Sequence, residues 1–264
     1  MGQIKAAIFD IDGTLVPFGA HAPGERTLCA LRRLRQNGVH IIVATGRARF
    51  AALAALEGVQ ADYIAAVNGN WVTDAAGKSM VENRMTAEEM YALVDFCEDY
   101  ELPLDFIFED GYYAYVEYAR FKQRYGTFKN NLQFFYDGEN QTRHLQGLPY
   151  GASAMLTPGQ AQGFAQRYGH LGLRFVPFAP GYYDVLRAGS NKAVALTALL
   201  GKLGVRWEEA AAFGDGHNDA ELLQAAGFAV AMENGAESLK EIAHVVAPPA
   251  EQDGVGQIIE KYFL

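Results

Sequence analysis

Cysteine is scarce. The chain of 264 residues has two, Cys29 and Cys97. Two thiols cannot build a disulfide scaffold, and their spacing matches no zinc motif. Both read as buried small hydrophobes, the common role of a free cysteine, and the reducing cytoplasm is the expected compartment. Long apolar runs are lacking too: none approaches the roughly 18–20 residues that span a bilayer. The amino-terminal MGQIKAAIFDIDGT has no basic segment leading into a long apolar stretch and cleavage site, so no signal peptide is expected. It begins Met-Gly, but Ala6 stands where a myristoylation site needs Ser or Thr. Positive charge is in the minority. Lys and Arg number 22 against 31 Asp and Glu, a formal net charge of -9. Such a chain lacks the basic face that sequence-independent nucleic-acid binding requires. There is no internal repeat and no low-complexity segment.

Apolar content is not lacking. Half of the chain is hydrophobic and 12% is aromatic, enough to bury a core and to exclude global disorder. At roughly 100–200 residues per domain, the length allows one large domain or two modest ones.

The pattern along the chain has two styles. Residues 4–10, IKAAIFD, form a short apolar run ending in an acidic turn, as a buried parallel strand does. A helix is expected over 24–37, where Leu28, Leu31 and Leu34 recur and Gly38 stops it. A second strand over 39–44, a helix opened by Thr45-Gly46-Arg47, and a third strand over 62–67 complete β-α-β-α-β, the pattern of a doubly wound parallel sheet. A hairpin is expected over 71–83. Thr86 and Glu89 are spaced as a capping box, and Asp110-Gly111 reads as a hairpin turn. Residues 118–150 show no clear period. Strands over 152–156, 173–178 and 182–187 carry aromatics and polar residues, as an antiparallel sheet with one wet face does. From residue 191 the first style returns. The expected organisation is therefore an α/β, Rossmann-like core made of residues 1–83 and 188–264, with a smaller α+β domain, 84–187, inserted into it.

Chemistry-bearing residues gather at strand ends. Asp10-Ile11-Asp12-Gly13-Thr14 follows the first strand, where ligand sites of open α/β sheets lie. Close carboxylates repel unless a cation or shared proton offsets the repulsion, and oxygen ligands on a rigid turn suit Mg²⁺. Gly214-Asp215-Gly216-His217-Asn218-Asp219 follows another short buried strand and adds two aspartates. Thr45 and Gly46 offer a hydroxyl and backbone N–H groups to an anion at a helix mouth. Lys192 opens a further helix and offers a point charge to phosphate oxygens. Each feature alone has a plain structural role, as turn former, N-cap or exposed helix residue. Their convergence on one sheet edge points to a site.

These residues resemble the motifs of the haloacid dehalogenase-like superfamily. The matching segments are FDIDGTL (residues 9–15), ATGR (44–47), SNK (190–192) and GDGHND (214–219), with EQDGV (251–255) similar to the family's closing signature. They occur in the family's order and span the full chain. More narrowly, the sequence looks like the Cof-type sugar phosphatases with a C2B cap. Asp12 to Thr45 is 33 residues, too few for a cap, whereas Thr45 to Lys192 is 147 and holds one.

The resemblance implies a Mg²⁺-dependent phosphatase of small phosphomonoesters working through an aspartyl-phosphate. It implies Asp10 as nucleophile and Asp12 as general acid/base. Mg²⁺ is held by the Asp10 and Asp215 side chains and the Asp12 carbonyl. Thr45 and Lys192 hold the phosphoryl oxygens, with Gly46 and Asn218 assisting. Asp219 is expected to orient Lys192 or a metal-bound water, Arg47 to reach a second substrate group, and Thr14 to serve the turn. The partner is a small phosphorylated metabolite, with no nucleic acid or membrane involved and a monomer as the default state. The insert is expected to close over the site and set the substrate. Tyr182, Tyr183 and Phe134-Phe135-Tyr136 are read as packing residues, and Arg120, Lys122, Arg124 and Lys129 as a small basic cluster. Ala193 and Leu222-Leu223 depart from the family's usual residues without touching a catalytic position. Two rivals share the chemistry: a phosphomutase using the same intermediate, and a non-catalytic phosphate-responsive module of receiver type.

Overall fold

Unbroken burial builds the first element: Ala6, Ala7, Ile8 and Phe9 have no exposed surface, so their strand is covered on both faces. The computed structural model describes residues 4–125 and 132–264. In chain order it shows β1 (Ala6–Phe9), α1 (Glu25–Gln36), β2 (His40–Ala44), α2 (Arg49–Ala55), β3 (Tyr63–Ala66), β4 (Trp71–Asp74) and β5 (Ser79–Glu82). Then come α3 (Ala87–Asp99), β6 (Leu104–Ile107), β7 (Tyr112–Val116), α4 (Tyr118–Tyr125), β8 (Phe135–Asp137), β9 (Gly151–Met155), α5 (Pro158–Tyr168), β10 (Arg174–Ala179) and β11 (Tyr182–Leu186). The last stretch carries α6 (Lys192–Leu203), β12 (Ala210–Gly214), α7 (Ala220–Ala225), β13 (Phe228–Met232), α8 (Glu237–Ile242), β14 (Val245–Ala247) and α9 (Gly254–Tyr262). The chain divides into two compact units, residues 1–82 with 191–264, and residues 83–190.

The first unit is built on one sheet in the order β14-β13-β12-β1-β2-β3-β4-β5. Pairing is parallel from β14 to β3 and antiparallel through the β4–β5 hairpin. From central β1 the chain winds outward to β2 and β3 on one side, and later to β12, β13 and β14 on the other. The crevice at the carboxyl ends of β1, β2 and β12 is thus the topological switch point. Ile8 and Ile42 of the sheet pack with Leu196, Leu199, Leu200, Leu222 and Leu239 of the covering helices.

The second unit has its own sheet, β10-β11-β9-β6-β7-β8. It is antiparallel except that β8 joins β7 in parallel. One face packs on α3 and α5, with Leu93, Phe96 and Phe164 against Phe106, Ala152 and Val185. Both helices start at complete capping boxes, Thr86 with Glu89 and Thr157 with Gln160.

Several readings change. Cys97 is buried, but Cys29 is exposed. The inward residues of α1 are Thr27, Ala30, Leu31 and Leu34, and position 29 points about 100° away from its neighbour Ala30. The helix after β2 starts at Arg49, capped by Ala48, and not at Thr45. Of the basic cluster, Lys129 and the Arg124 side chain lie outside the described residues. Arg120 donates to the Glu101 carbonyl at 2.6 Å, and Lys122 to the Tyr118 hydroxyl at 3.0 Å. Phe135 is buried against Phe121 and Tyr118, and Tyr182 against Phe121 and Phe178. Among the described residues, no helix is long and apolar enough to cross a membrane.

Candidate active site

The parallel register sets the site's first contact. The Asp10 N–H donates to the Phe213 carbonyl at 3.0 Å, so the residues just past β1 and β12 lie side by side. After Asp10 the chain reverses tightly: Val16 N–H donates to the Ile11 carbonyl and Gly13 N–H to the Val16 carbonyl, both at 2.8 Å. Gly13 sits at φ +80, and a Cβ there would meet Asp215 Oδ2 at 2.3 Å. Only glycine allows that conformation and that approach together.

Asp215 follows β12, and its Oδ1 accepts from the Thr14 hydroxyl at 2.7 Å. Asp219 ends the short turn His217–Asp219. Its Oδ2 accepts the backbone N–H groups of Asp215 and Gly216, each at 3.1 Å. Lys192 is the first residue of α6, a helix capped by Asn191 Oδ1 accepting from Val194 N–H at 2.8 Å. The Lys192 ammonium is fully buried and donates to Asp10 Oδ1 at 2.6 Å and Asp219 Oδ1 at 2.7 Å. Gly69 (φ +95) lets the loop after β3 approach α6, since a Cβ there would lie 2.7 Å from Ala195 Cβ.

Electrostatics follow from burial. Asp10, Asp215 and Asp219 are all buried, with one Lys among them. Desolvation is the largest influence on Asp10. Although Lys192 opposes it, the carboxyl is pushed up to about 8, with Asp219 and Asp215 adding repulsion. Desolvation likewise pushes Asp215 up to about 7, against the Thr14 hydrogen bond. The cost of burial pulls the Lys192 ammonium down, but Asp10 and Asp219 outweigh it and hold its pKa above the ordinary value.

One carboxylate oxygen from each of Asp10, Asp215 and Asp219 lies within 4.8 Å of the others. Hard oxygen donors with surplus negative charge fit Mg²⁺. Both Asp219 oxygens are already committed, one to Lys192 and one to two backbone N–H groups. Its arrangement is therefore that of a residue orienting Lys192, while Asp10 and Asp215 have the surplus charge.

The other expected site residues form a second network. Asp12 is gripped by Arg47, whose Nε donates to Oδ2 at 2.8 Å while Nη2 donates to Oδ1. The Arg47 partner is thus a residue of the turn after β1. Thr45 is buried; its hydroxyl accepts from Arg47 N–H at 3.1 Å and its carbonyl from Asn68 N–H at 2.9 Å. Asn218 Nδ2 donates to Asn68 Oδ1 at 3.0 Å. Gly46 is half-buried in the bend between β2 and α2, and His217 is exposed beside the motif.

Asn234 and Gly235, just past β13, were not singled out in the sequence. Asn234 Nδ2 donates to the Gly13 carbonyl at 2.8 Å, Ala236 N–H donates to the Asp215 carbonyl at 2.9 Å, and Gly235 packs against the Asp215 backbone. The available signal was position, a polar Asn-Gly pair at the carboxyl end of a buried strand.

A family model described as haloacid dehalogenase-like hydrolase matches residues 7–259. The 5-amino-6-(5-phospho-D-ribitylamino)uracil phosphatase YitU of Bacillus subtilis is 27% identical, over 96% of this chain and 96% of its own length. The HMP-PP phosphatase of Shigella boydii is 28% identical, over 91% and 93%. Among solved structures, a subclass IIB sugar phosphatase of the same superfamily superposes with a TM-score of 0.83, at 25% identity over 98% of each chain.

Proposed function

The chain belongs to the haloacid dehalogenase-like hydrolase family, and we propose that it is a phosphatase hydrolysing small phosphomonoesters through an aspartyl-phosphate on Asp10. The observation that carries this reading is the buried cluster of Asp10, Lys192, Asp215 and Asp219 at the carboxyl ends of β1 and β12. A carboxylate that stays nucleophilic in so apolar a place needs positive charge beside it, and Lys192 Nζ at 2.6 Å provides part of it. Asp10 and Asp215 side chains, with the Asp12 carbonyl, would hold Mg²⁺. When bound, Mg²⁺ supplies charge neutralisation for the carboxylates and the phosphoryl oxygens.

In the first step an Asp10 carboxylate oxygen forms a bond to phosphorus, the ester P–O bond breaks, and Asp12 gives its proton to the leaving alkoxide. In the second step a water oxygen bonds to phosphorus while Asp12 takes the water's proton. The P–O bond to Asp10 breaks, and inorganic phosphate leaves. Lys192, Thr45, Gly46 and Asn218 are assigned to the phosphoryl oxygens, Asp219 to orienting Lys192, and Arg47 to holding the Asp12 carboxylate between the two steps, when its proton has gone to the leaving group. Small phosphorylated metabolites are the substrate class; the activities for which YitU and the HMP-PP phosphatase are named support that scale of substrate. The segment 84–187 is assigned as a C2B-type cap and substrate selector within a core of 1–83 and 188–264. The division of the chain at residues 82/83 and 190/191 supports those bounds.

The test is release of inorganic phosphate from a panel of phosphomonoesters, with Mg²⁺ and with EDTA, by the wild type and Asp10→Asn. Metal-dependent turnover that vanishes in Asp10→Asn is expected. Activity that persists in the variant would overturn the mechanism.

A further inference from the structure

Beyond the catalytic turn the chain runs through Pro17, Phe18 and Gly19. Phe18 is 66% exposed, yet its ring tip is covered. A Cβ built on Gly13 would meet Phe18 Cε2 at 2.6 Å and Cζ at 2.7 Å, and Asp215 Oδ2 at 2.3 Å. The ring tip and that carboxylate oxygen therefore share one small space over Gly13, no more than about 5 Å apart. An aromatic ring is electropositive at its edge and electron-rich on its faces, so a ring beside a carboxylate can still offer a face for stacking. A Cβ on Gly19 would find nothing within 4 Å, so there is open space on that side of the loop.

A lone exposed apolar residue needs no explanation. Phe18 differs by its place. It stands in the same unit as the catalytic turn, directly against Gly13, beside a carboxylate assigned to the metal. A rigid, largely exposed ring lying against Gly13 is a stacking surface that loses little conformational entropy when covered.

We propose that Phe18 is a specificity-determining residue, a platform on which the leaving group stacks, and that the preferred substrates are phosphomonoesters whose leaving group carries a planar aromatic or heteroaromatic ring. This rests on the phosphatase reading and adds the substrate class to it. A flat π-system covers an exposed phenyl ring more fully than a hydrated polyol does, so aryl esters gain more from the platform than sugar or glycerol esters.

The experiment measures kcat and KM for phenyl phosphate and glycerol 2-phosphate in the wild type, Phe18→Ala, Phe18→Leu and Phe18→Trp. The wild type is expected to favour the aryl ester. Its aryl-to-glycerol ratio of kcat/KM should fall about fivefold or more in the Ala and Leu variants, through KM, and return in Trp. Leu keeps the apolar bulk and loses the flat face, so a ratio preserved in Leu would mark mere packing and overturn the platform. An unchanged ratio in Ala, or equal losses for both esters, would overturn it as well. The same ratio is read as binding affinity by calorimetry in Asp10→Asn, with and without Phe18→Ala. Wild-type protein that releases no phosphate from either ester would sink the phosphatase reading alone. In that case an aryl preference in binding that Phe18→Ala removes supports the platform, and no such preference overturns it.

Discussion

At the scale of single residues, Lys192 has the most at stake. It is fully buried, and its ammonium is shared between Asp10 and Asp219. Lys192→Ala is expected to lower kcat by about 10²–10³, the range for loss of one preorganised donor at a developing charge. Lys192→Arg should not restore it, because a bulkier planar guanidinium would replace an ammonium that is already fully buried between two carboxylates; steady-state kinetics of both variants check this. The aspartates give a pH prediction. Asp10 at about 8 and Asp215 at about 7 both lie above the ordinary value of 3.8. The metal-free fold therefore holds protons that the unfolded chain has released. That contribution is largest on the acid side and is lost as pH rises through about 7 to 8. Mg²⁺ must displace those protons, so the gain in Tm on adding Mg²⁺ should be greater near pH 8 than near pH 6. Equal gains at both pH values would contradict the electrostatic account. The two thiols give a simpler contrast. Burial pushes the Cys97 thiol up to about 12, while Cys29 is exposed. Iodoacetamide on the native protein should therefore add one adduct, at Cys29, with a second appearing only on unfolding.

At the scale of elements, the closing EQDGV segment turns out to brace another helix. The N-cap position of α1 is Gly24, which has no side chain to give. Asp253 supplies one from far along the chain: its Oδ1 accepts from Thr27 N–H at 3.1 Å and from the Thr27 hydroxyl at 2.7 Å. A Cβ on Gly24 would lie 2.2 Å from Asp253 Oδ1, so the glycine makes room for its remote cap. Asp253→Ala should cost about 1–2 kcal/mol, as loss of a capping side chain does, and Gly24→Ala should destabilise by crowding the same carboxylate. Urea unfolding of both variants is the check. The example also shows what was legible in the sequence. β1, β2 and β12 could be read because burial on both faces leaves unbroken apolar runs, and α3 because Thr86/Glu89 announces its start. Asp10, Thr45, Lys192 and Asp215 could be placed at strand and helix ends by the same reading. Contacts set by pairing distant segments had no local trace. Nothing in the sequence around Arg47 says that it grips Asp12, 35 residues away. Nothing in the FYD of β8 says that it joins β7 in parallel. Cys29 was misread because one exposed thiol on an otherwise amphipathic helix has no signature of its own.

At the scale of the whole molecule, the two units differ in how they close. The first is assembled from two separated stretches of chain, so β1 finds β12 only after residues 83–190 have intervened. The second is one continuous segment with its own sheet and its own apolar cluster around Leu93, Phe96, Phe106 and Phe164. Its ends are tied within the unit. Arg187 donates to Asn83 Oδ1 and, through Nε, to both Glu89 oxygens at 3.0 and 2.8 Å, while Met85 N–H donates to the Pro149 carbonyl at 2.8 Å. A segment with a private core and joined ends is an independent folding unit by construction. Residues 83–190 expressed alone should unfold in one cooperative urea transition, with m about 1–3 kcal/mol/M. Near-UV dichroism from the packed Phe and Tyr rings should vanish over the same denaturant range. Arg187→Ala in that fragment leaves the nearly buried Glu89 carboxylate without its cation, and should cost about 3–5 kcal/mol. A fragment with helical far-UV signal but no cooperative transition would mean that the insert's packing depends on the chain that carries it.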